Sequence, residues 1–111
     1  MIVINDINKM IISIKDLNEL VVKDSDYPII INFTATWCGP CSLKSLKNLL
    51  EELSEKGVKI FKVDIDQFDE YASSLGINSI PRFHIYKKKG IPEVLNGTSE
   101  DTLRKLSEIT N

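Results

Sequence analysis

Apolar residues fall into two alternating patterns along this chain. In the first, β-branched and aromatic residues crowd into short runs at 29–35, 58–65, 82–87 and around 92–95, and residues 2–4 and 7 are apolar as well. Such runs read as strands. The run 29–35, interrupted only by Asn32 and Thr34, is apolar on both faces and reads as an interior strand covered from both sides. In the second pattern, apolar residues recur three or four positions apart. Leu17, Leu20 and Val21 follow Ser13-Ile14-Lys15-Asp16, a loose capping box with Ile12 and Leu17 as its hydrophobic staple, and this helix should stop before Tyr27-Pro28. Leucines at 43, 46, 49, 50 and 53 mark a helix over 42–56, with Gly57 as its stop. Phe68, Tyr71, Ala72 and Leu75 mark a short helix over 67–75, capped by Asp66 and ended at Gly76. Leu103, Leu106 and Ile109 line a last helix capped by Ser99.

The resulting order, β, α, β, α, β, α, β, β, α, predicts an α/β domain spanning residues 1–111, with a mixed sheet and helices on both faces. Strand, helix and strand over 29–65 form a right-handed parallel crossover. The turn at Lys88-Lys89-Gly90 joins two antiparallel strands. In such sheets the chemistry sits beyond the carboxyl ends of the parallel strands. Cys38 lies just beyond the end of one.

Both cysteines of the chain sit in Trp37-Cys38-Gly39-Pro40-Cys41, between the 29–35 strand and the helix after it. With a helix starting at or just after Cys38, side chains at i and i+3 lie over one another, with Cα atoms roughly 5–6 Å apart, within reach of a disulfide. A ring that small removes little entropy from the unfolded chain, so the bond is a poor staple and its expected use is redox turnover. At a helix start, unpaired N–H groups and the positive end of the dipole favour a thiolate, which makes Cys38 the expected nucleophile. Cys41, one turn further in and more shielded, is then the resolving thiol. Trp37 is expected to offer a flat, partly exposed contact surface. Gly39 leaves room for a substrate backbone, and Pro40 suits a first helical turn because no N–H is needed there.

Composition narrows the alternatives. A net charge of −2 supplies no basic field for nucleic acid, and Lys87-Lys88-Lys89 reads as a solvated hairpin tip. No apolar run approaches a membrane span and no leader pattern is visible at the start, so a cytoplasmic location is expected. Two cysteines and the single His84 cannot supply four metal ligands from one chain, so no metal is expected. His84, between Phe83 and Ile85, is assigned no role.

Over residues 2–110 the chain resembles the thioredoxins. The resemblance rests on Trp37 to Cys41 after an apolar strand, on Lys62-Val63-Asp64-Ile65-Asp66, on Ile80-Pro81, and on glycines at 90 and 97. It implies a three-layer α/β/α thioredoxin fold with about five strands and four helices, a cis peptide between Ile80 and Pro81, and protein disulfide reduction through Cys38 and Cys41. Trp37, Ile80, Pro81 and Arg82 would then contact substrate. The implied partners are disulfide-containing target proteins and a separate reductase that supplies the electrons. No bound cofactor is expected, since no glycine-rich nucleotide loop is present, and the chain is expected to act as a monomer. Three positions depart from the family pattern: Asn32 replaces a buried aspartate, Leu46 a helix-kinking proline, and Arg82 a threonine. The second predicts a straighter helix. The first removes a carboxylate that in the family helps deprotonate the resolving cysteine, so slower, more pH-dependent release by Cys41 is expected. Asn32 itself is expected to be buried and hydrogen-bonded, with Lys62 facing the same region from the neighbouring strand. A docking module that keeps the fold without the chemistry, and an oxidant or isomerase, are the rival readings.

Overall fold

The computed structural model describes residues 2–3, 28–88 and 90–109. The helix expected after Ser13 lies outside the described residues. Five strands form one sheet in the order β1-β3-β2-β4-β5, where β1 is Ile2–Val3, β2 Ile29–Thr34, β3 Lys59–Asp64, β4 Arg82–Tyr86 and β5 Glu93–Asn96. The first three neighbours are parallel, while β4 runs antiparallel to β2 and β5 antiparallel to β4. Three α-helices are described: α1 Lys44–Glu55, α2 Asp69–Ser74 and α3 Glu100–Ser107.

Alternation along the strands divides the core into two layers. Ile30, Ile60, Phe83 and Ile85 point to the face covered by Leu46, Leu50 and Leu53 of α1 and Leu106 of α3. Ile29, Ile31, Phe33, Phe61 and Val63 point the other way and meet Phe68, Ile77 and Ile80. Every residue of β2 is buried, as its unbroken apolar run predicts for a central strand. Each large side chain enclosed this way contributes about 1.5–3 kcal/mol of transfer free energy.

Several expected boundaries shift. Leu43 is not helical: its ψ of 133° breaks the chain out of the helix, its side chain is 43% exposed, and α1 begins one residue later. The interruption thus falls three residues before Leu46, which sits in the first turn of α1 and is buried. Gly57, with φ 94°, ends the helix as predicted. Leu75 is exposed, because α2 stops at Ser74 and Gly76 turns the chain away at φ 68°. Asp66 does not cap α2; its carboxylate is engaged elsewhere, as described below. Ser99 does cap α3, its Oγ accepting the Thr102 N–H at 3.2 Å.

Candidate active site

The carboxyl end of β2 delivers the chain into a turn in which the Cys38 N–H donates to the Ala35 carbonyl at 3.2 Å. Pro40–Ser42 then form one 3-10 turn, with Pro40 at its start, where its missing N–H costs nothing. The turn brings the Cα atoms of Cys38 and Cys41 to 5.3 Å, and the two residues are joined by a disulfide.

Cys38 does not lie at the start of the long helix, as expected from the leucine spacing, because the extended Leu43 separates the redox turn from α1. What reaches its sulfur is a single local donor: the Cys41 N–H points at Cys38 Sγ at 3.3 Å. Nor is Cys41 the more shielded of the two. Cys38 is 5% exposed and Cys41 9%. Surroundings, rather than burial, distinguish the two sulfurs.

Cys38 opens onto an apolar groove of about 380 Å³ walled by Trp37, Gly39, Pro40, Ile65, Ile77 and Ile80. Trp37 is 66% exposed and stands as a flat wall, its indole N–H donating to the Asp66 carboxylate at 2.8 Å. The Ile80 carbonyl oxygen is 3.9 Å from Cys38 Sγ, and the Ile80-Pro81 peptide bond is cis. At Gly39 an added Cβ would meet nothing within 4 Å and φ is an ordinary −58°, so neither packing nor backbone conformation in the free protein calls for glycine there.

Cys41 faces a cavity of about 360 Å³ and mixed character, lined by Thr34, Ala35, Thr36, Ser42, Lys47, Lys62 and Asp64 and more polar than the groove. Asn32 pairs in register with Lys62 on one side and Phe83 on the other. It is 3% exposed, and its Oδ1 has no hydrogen-bond partner among the described residues, contrary to the expectation that a buried amide would be satisfied. Lys62, its register partner, is half-buried and borders the open cavity.

Arg82 is not brought to the groove. Register puts it on the sheet face of Phe33, where its Nε–H donates to Nε2 of His84 at 2.9 Å. His84 is buried against the Phe33 ring, and burial together with the Arg82 charge pushes its pKa down to about 4, so the ring stays neutral with its proton on Nδ1. The sequence reading missed this pair, along with Asp66 as the partner of Trp37 and Asp64 as the carboxylate beside Cys41. For Asp64 a signal existed: alternation from Lys62 puts it on Asn32's side of the sheet.

The sequence model of the thioredoxin family matches residues 9–108. The chain belongs to the thioredoxin family. It is 44% identical over 87 residues to an H-type thioredoxin of Chlamydomonas reinhardtii, covering 76% of this chain and 75% of that one. With a thioredoxin of Ictalurus punctatus it shares 33% over 103 residues, or 86% and 94% of the two chains. The X-ray structure of Fasciola hepatica thioredoxin superposes with a TM-score of 0.73 at 28% identity, over 96% of each chain. Thioredoxins are protein-disulfide oxidoreductases that work without a bound cofactor. The joined pair Cys38 and Cys41 is built for that dithiol-disulfide exchange. Among the described residues no cluster of three or more His, Cys, Asp or Glu side chains could hold a metal ion, and no helix is long and apolar enough to cross a membrane.

Proposed function

We propose that the protein works in the reducing direction, as a cytoplasmic electron carrier to disulfides of target proteins. The observation that carries this reading is the asymmetry of the disulfide: Cys38 faces an apolar groove open to a partner, and Cys41 faces a more polar cavity. A target strand lying over Gly39 and beside Ile80 presents its disulfide to the Cys38 thiolate, which the Cys41 N–H stabilises. Attack joins Cys38 to one target sulfur and releases the other as a thiolate. Cys41 then attacks Cys38 Sγ, the Cys38–Cys41 bond forms, and the reduced target leaves. A separate thioredoxin reductase, or an equivalent enzyme, returns the pair to the dithiol. In this reading Trp37, Ile80 and Pro81 shape the target site, and Lys62 favours anionic groups near Cys41.

The test is insulin disulfide reduction with dithiothreitol as electron source, joined to a measured reduction potential. Turnover that depends on Cys38, with a potential near the thioredoxin value of about −270 mV, supports the reading. A potential near the isomerase value of about −180 mV would assign the protein to oxidation or isomerisation instead. No turnover at all would leave a docking module.

A further inference from the structure

We propose that Asp64 is the proton acceptor for Cys41 in the step that releases the target. The proposal rests on the reductive reading above and names the group that this reading leaves unassigned. Release requires the Cys41 thiol to lose its proton, and a free thiol, with a pKa of about 8.5, is mostly protonated at neutral pH. A nearby base therefore sets the rate. Asn32 cannot be that base. Its amide accepts no proton near neutral pH.

Asp64 stands one register step further along the same face. Asn32 is level with Lys62, and Thr34 is level with Asp64, in a parallel pair whose alternate residues share a face. Two residues of strand carry the carboxylate about 7 Å toward the carboxyl end of the sheet, toward the redox turn. There it lines the same cavity as Cys41, and it is the one carboxylate among that cavity's described lining residues. One of its oxygens is fixed by the Asp66 N–H at 2.8 Å, which orients the group.

The charges facing it come from three elements. Lys62 precedes it on β3, and Lys47 reaches the cavity from the first turn of α1, where the helix dipole is also positive. Asp66, beyond the end of β3, has its own carboxylate tied to Trp37. Asp64 is half-buried, so a proton it accepts can pass on to solvent. At about 360 Å³ the cavity has room for water, each molecule of which occupies about 30 Å³.

The Cys41 S–H proton passes through cavity water to Asp64. The resulting thiolate attacks Cys38 Sγ, the Cys38–Cys41 bond forms as the bond from Cys38 to the target sulfur breaks, and the target leaves as a thiolate that takes a proton from solvent. Asp64 then returns its proton to solvent.

The experiment is single-turnover reduction of a disulfide peptide by pre-reduced protein from pH 5.5 to 9, with attack measured separately in the Cys41→Ser background. Asp64→Asn keeps an oxygen to accept the Asp66 N–H but cannot act as base. It should slow release by about tenfold or more near pH 6.5 while leaving attack unchanged, with the deficit closing toward pH 9 as the thiol ionises unaided. Adding Asn32→Asp to that variant should restore release, since a carboxylate is returned to the same face. Release unchanged by Asp64→Asn, attack and release slowed alike, or no restoration by Asn32→Asp would each overturn the proposal. Parent protein that reduces nothing would take down the functional reading, and this proposal with it. Normal parent turnover alongside an indifferent Asp64→Asn would take down the proposal alone.

Discussion

The groove at Cys38 and the cavity at Cys41 are nearly equal in volume, but the first is mainly apolar and the second carries charged and hydroxyl groups, although a single disulfide joins them. The groove is walled by Trp37, Ile65, Ile77 and Ile80 and gives a partner somewhere dry to sit. The cavity is walled by Ala35, hydroxyls, two lysines and a carboxylate, and is where the proposed proton transfer from Cys41 would take place. Both come from one sheet end, where β2 hands the chain into the redox turn. One 3-10 turn suffices to send two sulfurs into different surroundings, even though both are about equally buried. In this protein the two sulfurs are set apart by the pockets they face, not by position relative to the long helix.

The strongest way to break the comparison is to remove each sulfur in turn. Cys38→Ser should abolish insulin reduction, whereas Cys41→Ser should still attack once and accumulate a mixed disulfide visible by mass spectrometry. Iodoacetamide should label Cys38 of the reduced protein first. First labelling of Cys41 would reverse the assignment of groove and cavity.

The acid side of any activity profile has to be separated from loss of the fold, and His84 makes that separation testable. Its pKa falls from 6.5 to about 4 in the folded chain, so between those values the unfolded chain binds a proton that the folded chain refuses. Stability from this group is complete above pH 6.5 and declines as pH falls toward 4, by roughly 3 kcal/mol in all. Urea unfolding from pH 7 to 4 should show that loss in the parent beyond any loss in His84→Leu. Equal slopes would mean that the ring takes up its proton as readily in the folded chain as in the unfolded one.

A finer test uses Gly39. Because a Cβ there meets nothing and φ is −58°, Gly39→Ala should leave stability unchanged or raise it by about 0.5 kcal/mol. It should still slow reduction of protein disulfides several-fold by crowding the target strand, with little effect on a small aromatic disulfide. Equal effects on both substrates would show that no backbone passes over Gly39.

Much of this arrangement was legible in the sequence. Strand β2 is announced by its apolar run, the redox turn by its cysteine spacing, and α3 by Ser99 and the leucines after it. Periodicity failed where it outran the helix: Leu43 fits the leucine stripe, yet the backbone there follows the redox turn rather than the side-chain pattern. The placements of Asp64 and Asp66 were hidden for another reason. Each depends on a partner distant in sequence, since Asp66 meets Trp37 across 29 residues and Asp64 shares a cavity with Cys41 only through strand register. Arg82 adjoins the cis proline and shares the Phe33 face, yet it does not line the groove, because its Nε–H is held by His84 two residues further along β4.

The central claim is that groove and cavity govern different steps, and stopped-flow single turnover on Trp37→Ala and Asp64→Asn tests it most directly. Trp37→Ala should slow attack severalfold and leave release at the parent rate. Asp64→Asn should do the reverse. If both substitutions slow the same step, the two pockets are one site and the division drawn between them is wrong.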